Sequence, residues 1–188
     1  GLTAGEVLTL RDLMYGVFLS SGNDAAETLA GSFTDRRHFI DLMNRKASDL
    51  GMVDTHFTNP TGLDDPAMRT TAYDIAVAAA ALATRYPDLL AIAGAREAVM
   101  PAGPGHKAFD LRALNRLVGM YPGATGLKTG YTDDAGYCLV GTATRGDRHL
   151  VAVVMGDGLT LTSDAVKLLD YGFSVTPTLI AEGVRRSA

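Results

Sequence analysis

With Cys138 as its only cysteine in 188 residues, the chain cannot form an internal disulfide, which says little about compartment because many exported bacterial proteins carry none. Long apolar runs are also lacking. The longest, Ile75 to Ala83, falls well short of the roughly 20 residues a helix needs to cross a bilayer. Basic charge is not in excess: the formal net charge of -4 gives no support to nucleic-acid binding, and a pair such as Arg185-Arg186 does not make a patch. No basic-then-apolar leader opens the chain, so an export signal would have to lie upstream. There is no internal repeat, no low-complexity tract and no metal-ligand spacing, and no metal or cofactor is expected.

What is present is a globular composition, 47% apolar, in a length suited to one domain with a sizeable core. Thr9 to Asp12 reads as a capping box, and Leu10, Leu13, Met14, Val17 and Phe18 follow at helical spacing. The pattern stops at Ser20-Ser21-Gly22. A second helix starts at Asn23 or Asp24, with Ala26, Leu29, Ala30 and Phe33 as its expected buried stripe. Phe39, Leu42, Met43, Ala47 and Leu50 mark a third helix, with Gly51 as its C-cap. Thr55 to Asp65 is a loop, Ala72 to Arg85 an alanine-rich helix stopped before Pro87, and Asp88 to Ala93 a further helical turn.

The character then changes. Ala98 to His106 holds two prolines and two glycines, and no helix survives there. From Leu127 onward strands are expected. Tyr137–Thr144 and His149–Met155 form a hairpin about Arg145–Arg148, and a last helix carries Ala165, Val166, Leu168, Leu169 and Phe173. Helices, then a sheet, then a covering helix is α+β in outline.

Taken alone, Ser21 and Asn23 are short polar residues between two helices, and such residues ordinarily cap. Other motifs change their weight. Ser21-Gly22-Asn23 and Lys128-Thr129-Gly130 correspond to two of the three signature elements of penicillin-recognising serine enzymes. The chain resembles the low-molecular-weight penicillin-binding proteins that are D-alanyl-D-alanine carboxypeptidases (peptidase family S11). The likeness is carried by Leu19 to Ala25, the His56-Phe57 loop through Pro60, Gly62 and Leu63, Asn115-Arg116-Leu117, Gly126 to Thr132 with Ala135-Gly136-Tyr137, and Leu168 to Phe173.

The resemblance implies an α+β transpeptidase-like fold, an antiparallel sheet flanked by helices, with its N-terminal part missing. Residues 1–175 are the expected C-terminal portion of the catalytic domain: about 1–120 a mainly helical lobe, about 125–175 the sheet and closing helix, and 176–188 the start of a linker or tail. It implies an exported serine hydrolase that trims peptidoglycan stem peptides ending in D-Ala-D-Ala through an acyl-enzyme, and that binds β-lactam antibiotics. Ser21, Asn23 and Lys128 are the implied catalytic residues, and Thr129, Gly130 and Thr132 the implied substrate-binding residues. Membrane association is expected only through segments absent here.

Two departures stand out. No serine is followed three residues later by lysine, so the Ser-x-x-Lys nucleophile is absent, and these residues alone are expected to be inactive; the missing segment could be a second chain. Asp157 to Val166 contains no Lys or Arg, although related enzymes often carry a basic residue there for the substrate carboxylate. A class A β-lactamase is the alternative enzyme, disfavoured by Gly22 where those enzymes usually have Asp. A non-catalytic cell-wall-peptide-binding module is the alternative of another class. His56 reads as structural, His38, His106 and His149 as surface residues, Asp24 as a cap and Cys138 as a small core residue.

Overall fold

Thr9 fixes the start of the first helix. Its hydroxyl accepts from Asp12 N–H at 3.1 Å while the Asp12 carboxylate accepts from Thr9 N–H at 3.0 Å, a reciprocal capping box. The computed structural model describes residues 1–175; the linker expected at 176–188, with Arg185-Arg186, lies outside the described residues. Helix α1 runs Leu10–Ser20, and α2, Asn23–Phe33, follows after a two-residue turn. The two approach closely because Gly16 meets Ala25, where an added Cβ would sit 3.1 Å from the Ala25 methyl. Leu13, Ala25 and Leu29 form the buried seam, with Met14 and Val17 packed on it.

The expected stripe of α2 is therefore displaced. Ala25 is buried in place of Ala26, and Phe33 is 73% exposed because the helix ends there, past the last contact with α1. Asp24 is not the N-cap, which is Gly22; its carboxylate instead accepts from Leu2 N–H at 2.7 Å and Ala25 N–H at 2.8 Å.

Helix α3, Arg36–Asp49, is capped by Asp35 and ends in Gly51 at φ +76°, with Met52 N–H returning to Ala47 C=O. The loop to α4 (Ala72–Arg85) is architectural. Asn44 bonds Phe57 through both ends of its amide, and His56 pairs backbone to backbone with Arg69. Asp74, wholly buried, accepts from Asp54 N–H and the Thr55 hydroxyl. Helix α5 spans Pro87–Ala93, opened by its proline.

No helix forms at 98–106, as expected, and its first residues belong to a hairpin that the sequence did not declare. Strands β1, Glu97–Met100, and β2, Phe109–Arg112, pair antiparallel from Glu97↔Arg112 to Met100↔Phe109. The two prolines and two glycines of 101–105 form its connection, and the strands are too short for alternation to declare itself in sequence. His106 is half-buried under this connection, its Nδ1 against the Lys107 carbonyl oxygen.

Strands β3 (Ala124–Thr132), β4 (Gly136–Arg145) and β5 (Arg148–Asp157) make an antiparallel meander in that order. Register runs Thr132↔Gly136 and Lys128↔Val140, then Arg145↔Arg148 across a turn with Gly146 at φ +59°. Alternation sends Leu139, Ala143 and Ala152 to α6 (Leu161–Ser174), where Leu117, Tyr121, Ala165 and Leu169 complete the main core. Leu168 lies outside that stripe and is 48% exposed. Val140 and Val151 point the other way, to Ala79 of α4 and to Ala93 and Leu90 of α5. The sheet is thus covered on both faces, and the fold is α+β.

Candidate active site

Ser21 sits where α1 stops. Its backbone is left-handed, φ 52° and ψ 41°, and it is the only non-glycine residue with positive φ among the described residues. That conformation costs a non-glycine residue about 1–2 kcal/mol. It turns the chain sharply enough for Gly22 N–H to reach back to Gly16 C=O at 3.0 Å, and Asn23 then opens α2.

Lys128 comes from the middle of β3, 107 residues away. Its Nζ donates to Ser21 Oγ at 2.7 Å and to the Thr129 carbonyl oxygen at 2.6 Å. Burial pushes the Lys128 ammonium down from 10.5 to about 8, because charge is disfavoured away from water and both acceptors are neutral. Since Ser21 Oγ accepts from the ammonium, its own O–H is free to donate elsewhere.

Two cavities flank this contact. One, of about 470 Å³, is lined by Ser21, Asn23, Lys128, Thr129, Gly130 and Thr132 together with loop residues 61–63, so all six sequence-derived site residues meet there. The other, of about 500 Å³, shares Ser21, Thr129 and Gly130 and continues to Arg116 and segment 158–162. Asn23 is exposed, and neither its amide nor the Thr129 hydroxyl has a side-chain partner among the described residues. Thr132 is partly committed: its oxygen accepts from Ala135 N–H at 3.0 Å, closing the β3–β4 turn, which leaves its hydrogen to donate. At Gly130 an added Cβ would find nothing nearer than Cys138 Cβ at 4.0 Å, so the strand surface there is open. Strand β3 is an edge of its sheet, so alternate N–H groups face away from β4.

Cys138, read from sequence as core, is half-buried and faces the first cavity, because its register partner is the side-chain-free Gly130. Sequence reasoning also passed over Arg116, Tyr131 and Tyr137 as cleft wall. The two tyrosines stack across β3 and β4 with ring centroids 4.4 Å apart, a pairing that the register predicts once the hairpin is known. Among the described residues no three His, Cys, Asp or Glu side chains cluster to hold a metal, and no single helix is long and apolar enough to cross a membrane.

Comparison with known proteins gives a consistent picture. Residues 1–158 match the peptidase S11 family, described as D-alanyl-D-alanine carboxypeptidase. The chain is 38% identical over 179 residues to D-alanyl-D-alanine carboxypeptidase DacF of Bacillus subtilis, covering 92% of this chain and 45% of DacF. It is 38% identical over 184 residues to DacB2 of Mycobacterium tuberculosis, covering 94% of this chain and 62% of DacB2. The chain therefore spans about half the length of these curated relatives. Among solved structures it is similar to a serine-to-alanine mutant of the Streptomyces K15 DD-transpeptidase, at TM-score 0.84 and 30% identity, covering 93% of this chain and 72% of that one. It is also similar to penicillin-binding protein D2 of Listeria monocytogenes in its cefotaxime-bound form, at TM-score 0.80 and 34% identity, covering 89% and 67%.

Proposed function

The chain belongs to the peptidase S11 family of D-alanyl-D-alanine carboxypeptidases, and from that premise we propose that it supplies two of the three catalytic elements of a penicillin-sensitive serine D,D-carboxypeptidase acting on peptidoglycan stem peptides outside the cytoplasm. The observation that carries this reading is the 2.7 Å contact between Lys128 Nζ and Ser21 Oγ, which joins two motifs 107 residues apart at one cleft.

The nucleophile of the proposed reaction is a serine outside these 188 residues, in a Ser-x-x-Lys segment. It attacks the carbonyl of the penultimate D-alanine, the terminal D-alanine leaves as its amine is protonated, and water then releases the acyl-enzyme. At pH 7 the Lys128 ammonium, with its value near 8, keeps its charge. It polarises Ser21 and draws the substrate anion toward the cleft. Ser21 passes its free hydroxyl proton to the departing amine, a general-acid role of a kind that contributes about 10²–10⁴-fold. The unpaired amide of Asn23 holds the substrate peptide, Thr129 and Thr132 offer hydroxyl donors, and the β3 edge past Gly130 offers N–H groups to the substrate backbone and to the developing oxyanion. A cation that Lys128 brings beside the lysine of Ser-x-x-Lys depresses that lysine's pKa, which favours the neutral base the attack requires.

The test is intact mass of the full-length polypeptide with and without benzylpenicillin, followed by peptide mapping. One acyl adduct on a serine outside this chain is the expected result. An adduct on Ser21, or none at all, would sink the reading, and an adduct released within seconds would favour a β-lactamase.

A further inference from the structure

The first cavity does not end at the Lys128–Ser21 contact. It opens into a third cavity of about 820 Å³, and the two share Thr61, Gly62, Leu63, Ala135 and Met155 as common wall. The second cavity shares none of these residues. In the reading above Asn23 holds the substrate peptide, so the part of the substrate that precedes the cleaved bond lies in the first cavity and runs toward the third.

Two separate elements form the rim between them, and each turns acidic just past it. On the loop between α3 and α4, Leu63 lines both cavities, whereas Asp64 and Asp65 line only the third. On the β3–β4 turn, Ala135 lines both, whereas Asp134 lines only the third. Both elements are held in place. Asn59 Oδ1 accepts from Thr61 N–H at 3.1 Å and from Gly62 N–H at 2.8 Å, and its Nδ2 donates to the Leu63 carbonyl oxygen at 2.9 Å. Thr132 does the same for the turn by accepting from Ala135 N–H. Asp65 is occupied by Ala67 N–H at 2.8 Å, but the Asp64 and Asp134 carboxylates accept no hydrogen bond and form no ion pair among the described residues. The lining carries three carboxylates against one guanidinium, that of Arg69.

Length decides what reaches them. Lys128 to Thr132 is four residues of strand, about 13 Å at ordinary rise. The penultimate D-alanine and the residue before it, extended along the β3 edge, cover about 7 Å. A flexible four-carbon side chain on that preceding residue covers the remainder. We infer that the third cavity receives the side chain of the residue immediately before the D-Ala-D-Ala unit, and that Asp64 and Asp134 select a side chain ending in an ammonium group. Both carboxylates are exposed, so the attraction acts through water, is modest and is screened by salt. The inference rests on the carboxypeptidase reading above and adds the substrate class of the same cleft.

The experiment measures D-alanine release by the full-length polypeptide from Nα-acetyl-L-Lys-D-Ala-D-Ala and from the Nα,Nε-diacetyl peptide, which keeps the length and removes the charge. The expected result is a kcat/KM about 5-fold higher for the free ammonium at low ionic strength, carried by KM and shrinking as salt is added. The double variant Asp64→Asn, Asp134→Asn brings the ratio of the two peptides to about 1, the value expected once the ion pairs are gone. Its acylation by benzylpenicillin, which has no ammonium, reports that the catalytic cleft is intact. Equal kcat/KM for both peptides in the wild type, or a preference that survives in the double variant, would overturn the assignment. If the wild type neither takes up penicillin nor releases D-alanine, the carboxypeptidase reading fails first and takes this one with it.

Discussion

Replacing Lys128 with methionine in the full-length polypeptide removes a buried charge at similar size, and the structure fixes the sign of the outcome. The ammonium falls from 10.5 to about 8 on folding, through burial. Between those values the unfolded chain binds more protons than the folded one, so the wild type gains stability as pH rises from 8 to 10.5. Below pH 8 the charged ammonium costs the fold at most about 3 kcal/mol, and between pH 7 and pH 10 about 2.5 kcal/mol of that is recovered. Lys128→Met cannot titrate. Its stability at pH 7 should rise by up to that cost, less the two hydrogen bonds to Ser21 and Thr129, and the increase with pH should vanish. Urea melts of both proteins at pH 7 and pH 10 measure this, and the difference of differences cancels every other titrating group. The same substitution should abolish penicillin acylation, so one residue would trade stability for chemistry. Parallel stability–pH curves for wild type and Lys128→Met would refute the reasoning, because they would mean the ammonium is not desolvated.

The remaining predictions concern the elements that hold this contact. Acylation by the wild type should fall about 10-fold from pH 7 to pH 9 as Lys128 loses its proton, while Lys128→Arg, slower throughout, should show no fall in that range. Ser21→Gly should gain about 1 kcal/mol from the relieved left-handed backbone and lose at least about as much because the buried Lys128 ammonium loses an acceptor, so a urea melt should show no net stabilisation, while acylation falls at least about 10²-fold with the hydroxyl gone. Leu117→Ala, at a fully buried core position, should cost about 3 kcal/mol in the same assay. Asp74→Ala should cost about 2 kcal/mol or more, since Asp54 N–H and the Thr55 hydroxyl lose their acceptor; hydrogen exchange at Asp54 would report the opened loop.

Helices and the three-stranded meander were legible because each declares itself locally: a capping box at Thr9, helical spacing in α1, proline stops near Arg85, alternation in β4 and a glycine turn at 146. The β1–β2 hairpin was not, because four-residue strands around a proline-glycine connection carry too little periodicity to be told from loop. Phe33 read as buried and is exposed, since a helix's stripe says which residues share a face but not where the neighbouring element ends.

The residue types of the site were determined by the sequence alone: Ser21 and Asn23 at a helix–helix turn, and Lys128, Thr129 and Gly130 on a strand. So was the lack of a Ser-x-x-Lys element and of any cation in 157–166. Tertiary structure decided what those residues can do. A lysine becomes a titratable group near neutrality only when packing removes its water, and Ser21 becomes a polarised hydroxyl only when β3 delivers an ammonium to within 2.7 Å. Local pattern encodes what each residue is, but desolvation and proximity over a hundred residues are properties of the folded chain, and they set the chemistry.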